Sequence, residues 1–236
     1  MSLACPSLIA NSLPSLCMSV DIYCERSSSA LNAEPVNAYS NAAFFVAAWA
    51  AWRLHSHYPS SGAKGLINAL IVAMAVVGLG SFLFHTVATR WAEWGDVIPI
   101  LAFILLYLWL AMTRFFQWPG WLAVLTLSFF LATTLYLESG VPSAILWGGA
   151  MYLPTLVTIV AAGIALRGRH PAAGRALLAA AGVFILAFTA RSLDVPMCGS
   201  FPLGTHFLWH LLNALLLYLL VRLAILYLPA RVAVAG

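Results

Sequence analysis

The chain alternates between long apolar runs and short polar connections. Seven of the runs are long enough to cross about 30 Å of hydrocarbon as an α-helix, and the short connections are typical of a compact bundle. In chain order, the predicted spans are Pro35–Arg53, Gly65–Thr86, Asp96–Met112, Trp121–Leu137, Ala144–Leu166, Ala176–Ser192 and Thr205–Leu228. The pattern therefore predicts an all-α fold, a polytopic membrane protein built as a seven-transmembrane-helix bundle.

One domain accounts for the whole pattern, because no internal repeat, low-complexity tract or second polar domain interrupts it. We expect an extracytoplasmic N-terminal segment at residues 1–34, a membrane domain at residues 35–229 and a cytoplasmic tail at residues 230–236.

The composition agrees with this prediction. Of the 236 residues, 63% are hydrophobic and 8% are charged, whereas a soluble domain has about 25% charged residues. The net charge of +4 is not concentrated on a polar domain, so we expect no nucleic-acid partner.

The basic residues predict the orientation of the bundle. Three of them fall on one side (Arg26, Arg90 and Arg191), and eight fall on the other: Arg53, Lys64, Arg114, Arg167, Arg169, Arg175, Arg222 and Arg231. The side richer in Lys and Arg stays in the cytoplasm. We therefore expect the N-terminus outside and the C-terminus in the cytoplasm. All the acidic residues map to the outer side: Asp21, Glu25, Glu34, Glu93, Asp96, Glu138 and Asp194.

The four cysteines, Cys5, Cys17, Cys24 and Cys198, also map to the outer side. An even number of cysteines in an oxidising compartment suggests disulfides. A bridge between Cys24 and Cys198 would tie the N-terminal segment to the start of the last span. The alternative is that the cysteines are small buried hydrophobic residues.

Three histidines are predicted at one depth in the membrane. His206 and His210 are four residues apart in the last span, so they share one face of a helix. His85 ends the second span at the same outer level. Histidine is costly inside a membrane, and three protein ligands with one open position are typical of catalytic zinc. The histidines are therefore candidate zinc ligands.

Asp96 and Ser81 are the candidate catalytic residues beside these histidines. Asp96 could accept a proton from water and pass it to a leaving group, and Ser81 could stabilise a developing oxyanion or position the water. Alternatively, Asp96 is a helix N-cap and Ser81 bonds back to its own helix. Gly78 and Gly80 would allow a neighbouring helix to approach closely.

A second metal site is suggested by oxygen donors before the first span. Glu25 and Glu34 flank this region, with Asp21 nearby, and together they are candidate calcium ligands. The alternative is a solvated loop in which Glu34 is a charge favoured by the dipole of the following helix.

This set of candidate site residues and cysteines resembles that of the alkaline ceramidase family, within the wider superfamily of seven-helix membrane hydrolases that includes the adiponectin receptors. The matching stretches are Tyr23–Glu25, Glu34–Asn41, Gly80–His85 with Asp96, Asp194–Cys198, and His206–His210. The order Ser-x-x-x-His, Asp, His-x-x-x-His is fairly specific as a set. The alanine-rich, loop-poor chain suggests a bacterial member.

The resemblance implies a zinc amidase of membrane lipid. His85, His206 and His210 would hold zinc, and water would attack the amide carbonyl with Asp96 as base and then acid, assisted by Ser81. The substrate would be ceramide or a ceramide-like N-acyl lipid, cleaved to a fatty acid and a sphingoid-type amine.

The resemblance also implies a Cys24–Cys198 disulfide and a calcium site that includes Glu25 and Glu34. The expected location is the bacterial inner membrane, with the active site toward the extracytoplasmic side. The alternative function is a lipid-binding receptor or sensor with a structural zinc and no hydrolysis.

Overall fold

The computed structural model describes residues 5–58, 63–142, 146 and 149–228, and within these ranges the chain is helical and has no strand. The nine α-helices of the described chain are α1 (Ser7–Ser12), α2 (Pro35–Ser40), α3 (Ala42–His57), α4 (Lys64–Val87), α5 (Arg90–Leu110), α6 (Gly120–Gly140), α7 (Leu153–Arg167), α8 (Pro171–Met197) and α9 (His206–Tyr227). The all-α prediction is confirmed for this part of the chain.

Six helical segments are long and apolar enough to cross a membrane. They are Lys64–Val87, Arg90–Phe115, Gly120–Gly140, Ala150–Arg167, Pro171–Met197 and His206–Tyr227. Large apolar side chains also point outward, as Phe129 and Tyr136 do on α6, which suits a helix surrounded by lipid. The chain is an integral membrane protein.

The first predicted span is divided at Asn41 into α2 and α3. The side chains of Ser40 and Asn41 both donate hydrogen bonds to the carbonyl oxygen of Asn37, at 2.8 and 2.9 Å. That carbonyl would otherwise accept from the backbone N–H of Asn41, which bonds to Ala38 instead. Polar side chains competing for backbone groups in this way interrupt helices. Because α3 alone is shorter than the six segments, the count of seven spans stays a prediction.

The predicted start of the third span at Asp96 is wrong, because α5 begins at Arg90. Arg90 and Glu93 pair with each other on the exposed surface of the first turn, so the helix extends beyond the apolar run. The predicted fifth-span start at Ala144, the domain end at residue 229 and the tail at residues 230–236 lie outside the described residues.

Helix α9 is the centre of the bundle. It packs against α3, α4 and α8, and it carries buried side chains from its first residue, His206, to Ile225 near its end. The first turns of α9 therefore lie where several helices meet, and the polar residues in those turns are enclosed by protein.

Candidate metal centre

Three histidines meet at one end of the bundle, as the sequence predicts. His85 lies in the last turn of α4, and His206 and His210 lie in the first two turns of α9. All three are buried, and their ligand atoms lie within 4.8 Å of one another. The ring centroids are 4.6 to 5.1 Å apart. Three imidazoles at this spacing could hold a metal ion.

Two ring nitrogens in this trio have no protein partner. Within the described residues, Nε2 of His85 and Nδ1 of His206 are buried without a hydrogen bond. Such atoms are uncommon in folded proteins, and an imidazole nitrogen without a hydrogen bond is able to bind a metal ion. In the same part of the chain, no other group of three His, Cys, Asp or Glu side chains converges this closely. The donor set therefore fits a metal ion.

Glu34 orients His85. Its Oε2 lies 2.6 Å from Nδ1 of His85, and its Oε1 accepts a hydrogen bond from Nε of Arg26. Burial tends to raise the pKa of Glu34, but the hydrogen bond from His85 and the pairing with Arg26 hold the pKa of this carboxyl below its ordinary value. A carboxylate at Nδ1 keeps the proton on that nitrogen. Nε2 is therefore the nitrogen of His85 that is available to a metal ion.

Ser40 orients His210 from the interrupted end of α2. Its hydroxyl donates to the carbonyl oxygen of Asn37 and lies 2.8 Å from Nδ1 of His210. Because the hydroxyl has one proton, it accepts a hydrogen bond from Nδ1–H of His210. The break at Asn41 thus helps to fix a site residue, and Nε2 of His210 is left for the centre.

Asp194 anchors the backbone of His206. Its Oδ1 accepts hydrogen bonds from the N–H groups of Thr205 and His206, at 2.7 and 2.8 Å, and its Oδ2 accepts one from Cys24 at 3.0 Å. Gly204 makes the turn before α9 with φ of +66°, and a Cβ there would lie 2.1 Å from Oδ1 of Asp194. The start of α9 is therefore built around one buried carboxylate.

Disulfides join Cys24 to Cys198 and Cys5 to Cys17. The first is the pair that the resemblance implies, and it links positions 174 residues apart in the chain. The alternative of free buried cysteines is wrong, since the described residues include no free cysteine. The Cys24–Cys198 bridge holds the N-terminal segment against the end of α8, beside Asp194.

Ser81 and Asp96 lie next to the histidines. Oγ of Ser81 is 3.4 Å from Nε2 of His210 and is within hydrogen-bonding reach of the Asp96 carboxylate. Asp96 is in the second turn of α5, and the N-cap position of that helix is Thr89, so the N-cap interpretation of Asp96 is wrong. Within the described residues, Oδ1 of Asp96 is buried without a hydrogen-bond partner. The carboxylate thus has an oxygen available for chemistry.

Two glycines bring these residues together. A Cβ on Gly80 would lie 2.0 Å from the carbonyl oxygen of Gly95, and one on Gly78 would lie 2.7 Å from Cβ of Phe44. The close helix approach predicted for Gly78 and Gly80 is confirmed. Since Ser81 follows Gly80 and Asp96 follows Gly95, the backbone contact sets the separation of the two candidate catalytic residues.

The predicted calcium ligands are engaged with protein groups. The two carboxylate oxygens of Glu25 accept hydrogen bonds from the backbone N–H groups of Val36 and Asn37, each at 2.7 Å. Asp21 is exposed, and Glu34 is committed to Arg26 and His85. The calcium site therefore stays a prediction. The helix-dipole alternative fits Glu25, whose oxygens bind the N-terminus of α2, better than Glu34.

Sequence patterns did not indicate the roles of Tyr23, Arg26 and Arg191. The Tyr23 ring stacks on His206 with centroids 3.7 Å apart, and burial raises the pKa of Tyr23 well above its ordinary value. Arg191 hydrogen-bonds Tyr23 and lies over the rings of Tyr152 and Trp209. Arg26 and Arg191 are both on the side of the bundle that has few basic residues. That position is the one feature of the sequence that could have identified them as site residues.

An apolar cavity begins at the candidate catalytic residues. Ser81, Asp96 and His210 line its polar end. The rest is mostly apolar and includes Ile100, Phe103, Ile159, Phe184, Leu217 and Leu220. Leu220 is ten residues beyond His210, or about 15 Å along the axis of α9. The cavity therefore runs from the metal centre into the apolar interior of the bundle.

A family model described as Ceramidase matches residues 19–231, a range that contains the three histidines, Ser81 and Asp96. A comparison with curated proteins finds no match for the chain.

Proposed function

The chain belongs to the ceramidase family and is a hydrolase acting on amide C–N bonds, and we propose that it is a zinc-dependent amidase of membrane lipids. The proposed substrate is ceramide or a ceramide-like N-acyl lipid. Water would split it into a free fatty acid and a sphingoid-type amine. The observation that carries the proposal is the buried histidine trio with Asp96 and Ser81 beside it.

His85, His206 and His210 would hold the zinc. Neutral imidazoles leave the positive charge of an ion undiminished, and zinc in such a site acts as a Lewis acid and makes water more acidic. The unpartnered nitrogens on His85 and His206 support this assignment. The supports from Glu34, Ser40 and Asp194 would hold the ligands in place before the metal binds.

Asp96 is the proposed base and acid. Its carboxylate would take a proton from the water that attacks the amide carbonyl carbon. It would then give that proton to the amide nitrogen as the C–N bond breaks. The buried, unpaired Oδ1 of Asp96 supports this role, because an oxygen occupied by a protein donor could not accept the proton.

Ser81 is the proposed partner of Asp96. Its hydroxyl lies between Nε2 of His210 and the Asp96 carboxylate. From there it could donate a hydrogen bond to the carbonyl oxygen as negative charge develops.

A lipid substrate is supported by the cavity that leads from Asp96 and His210 to Leu220. The amide group would lie at the polar end, and an alkyl chain would extend among the apolar side chains. Ligand sites of this kind, apolar with a few polar groups at one end, are typical of small-molecule pockets.

The proposed location is the bacterial inner membrane, with the metal centre toward the extracytoplasmic side. The disulfides Cys5–Cys17 and Cys24–Cys198 support this side, since disulfides persist in oxidising compartments. A cysteine-labelling reagent that does not cross membranes would test it, applied after mild reduction of intact cells. Labelling of Cys24 only in opened cells would contradict the proposed orientation.

The main test is hydrolysis of a fluorescent short-chain ceramide by the purified protein, together with metal analysis. His210→Ala should lose both zinc and activity. His57→Ala is the matched control, because His57 is exposed and, among the described residues, its ring contacts only Arg53 and Ser56 of the same helix. Retention of zinc and turnover by His210→Ala would overturn the assignment. Binding of lipid by the zinc-loaded wild type without cleavage would favour the receptor alternative.

The natural substrate needs a separate experiment. Lipid extracts of cells with and without the protein should differ in one class of N-acyl lipid and in the matching free amine. If ceramide-like lipids are unchanged and another acyl-amide class accumulates, the substrate assignment would move to that class.

A further inference from the structure

Arg26 is a buried arginine in the N-terminal segment, with 7% of its surface exposed. Every nitrogen of its guanidinium is engaged. Nε donates to Oε1 of Glu34, Nη1 donates to the carbonyl oxygens of Ser28 and Ala30 at 3.2 and 3.3 Å, and Nη2 donates to the carbonyl oxygen of His85 at 3.1 Å. One side chain therefore contacts both Glu34 and the backbone of a proposed metal ligand.

Glu34 completes a closed loop of contacts. Its Oε1 binds Arg26, while its Oε2 binds Nδ1 of His85 at 2.6 Å and Nδ2 of Asn37 at 3.2 Å. His85 is thus held twice, by its ring through Glu34 and by its carbonyl oxygen through Arg26. The flat, forked shape of arginine suits this geometry, and lysine, with one nitrogen, could not make all these contacts.

A buried carboxylate that orients a metal-binding histidine needs a positive partner, because an unpaired buried charge is costly. Arg26 supplies that charge from within the chain. The carboxylate oxygens of Glu34 are already occupied by Arg26, His85 and Asn37, and those of Glu25 by the N-terminus of α2. No carboxylate oxygen of these two residues is left without a partner for a divalent cation.

We propose that Arg26 is a positioning residue for the metal ligand His85, acting through Glu34, and that its guanidinium takes the place of a bound divalent cation in the N-terminal segment. This inference rests on the proposed metal-dependent amidase. Its consequence is that the metal centre is assembled and active without calcium.

The test is the zinc affinity of the purified full-length protein, measured by competition with a chelator of known affinity, alongside turnover of a short-chain ceramide. Loss of an outer partner of a metal ligand weakens metal binding about 10- to 100-fold. We expect a loss of that size for Arg26→Gln. Arg26→Lys, which keeps the charge but loses the fork, should fall between this variant and the wild type. Arg90→Gln is the control, since the exposed side chain of Arg90 pairs, among the described residues, only with Glu93. The zinc affinity of this variant should be unchanged.

A double variant separates positioning from a merely structural role. If Arg26 acts mainly through Glu34, then Arg26→Gln combined with Glu34→Gln should lose less zinc affinity than the two single losses combined, because only the contact from Nη2 to the carbonyl oxygen of His85 acts without Glu34. Independent roles would instead give additive losses. Should Arg26→Gln fail to fold, the same comparison can be made with Arg26→Lys, whose loss should also be smaller in the Glu34→Gln background than in the wild type.

Calcium dependence is the second measurement. Free zinc is fixed with a metal buffer while free calcium is varied, and the turnover and zinc affinity of the wild type should not change. Three results would each overturn the inference. They are a calcium requirement in the wild type, an unchanged zinc affinity in Arg26→Gln, and additive losses of zinc affinity in the double variant. If the wild type binds no zinc, the proposed zinc-dependent function itself fails. If the wild type binds zinc and one of the three results above is found, only the role of Arg26 fails.

Discussion

The contact between Gly80 and Gly95 gives the most direct prediction about catalysis. A Cβ on Gly80 would lie 2.0 Å from the carbonyl oxygen of Gly95, whereas an ordinary contact begins at about 3.4 Å. In Gly80→Ala, helices α4 and α5 must therefore separate locally by about 1.4 Å. Such overpacking costs about 1–3 kcal/mol, so the protein should still fold.

Helix α5 is the element that should move. Helix α4 has ten buried residues and α5 has four, and the end of α4 is also tied to Arg26 and Glu34 through His85. The three histidines are on α4 and α9, so metal content should be unchanged. Asp96 is on α5 and should be displaced from Ser81. A displacement of about 1 Å can reduce catalysis by about 100-fold.

The assay for Gly80→Ala is kcat on a fluorescent ceramide, with zinc measured on the same sample. Gly182→Ala is the matched control, because a Cβ at this exposed position in α8 would meet no atom within 4 Å. We expect a loss of about 100-fold in kcat for Gly80→Ala and none for Gly182→Ala. A folded Gly80→Ala protein with wild-type kcat would refute the reasoning, and loss of zinc would show that α4 moves instead.

Three further predictions concern other parts of the site. Asp96→Asn should keep zinc but lose about 100- to 10,000-fold in kcat; loss of zinc on metal analysis would instead make Asp96 a metal ligand. Asp194→Ala should lower the free energy of unfolding by several kcal/mol, because three backbone N–H groups lose a buried acceptor and each such loss costs about 1–3 kcal/mol. Exposed Asp21→Ala is the control, and equal denaturant midpoints would contradict the role of Asp194. Leu220→Trp should lower kcat/KM for long-chain amides more than for short-chain ones, because the larger side chain fills the far end of the cavity. Equal losses for both chain lengths would show that the alkyl chain does not reach Leu220.

Local patterns were sufficient for the six long apolar helices and for the histidines. Apolar runs predict helices because a span must bury its backbone polar groups within itself, and six of the predicted spans correspond to long apolar helices. Helix periodicity placed His206 and His210 on one face, and membrane depth placed His85 at the same level. Helix ends were predicted less well, as at Arg90, because a surface ion pair can extend a helix beyond its apolar run.

Only the tertiary structure decided what surrounds the histidines. His85 is 59 residues from Arg26 and 51 from Glu34, and the sequence has no periodic signal for hydrogen bonds over such separations. The assignment of Glu34 to His85, and of Glu25 to the start of α2, depends on where each chain segment lies when the helices pack. The sequence therefore determined which residues could bind a metal, whereas packing decided which carboxylates and hydroxyls orient them, because hydrogen bonds require distances of about 3 Å that only the assembled bundle sets.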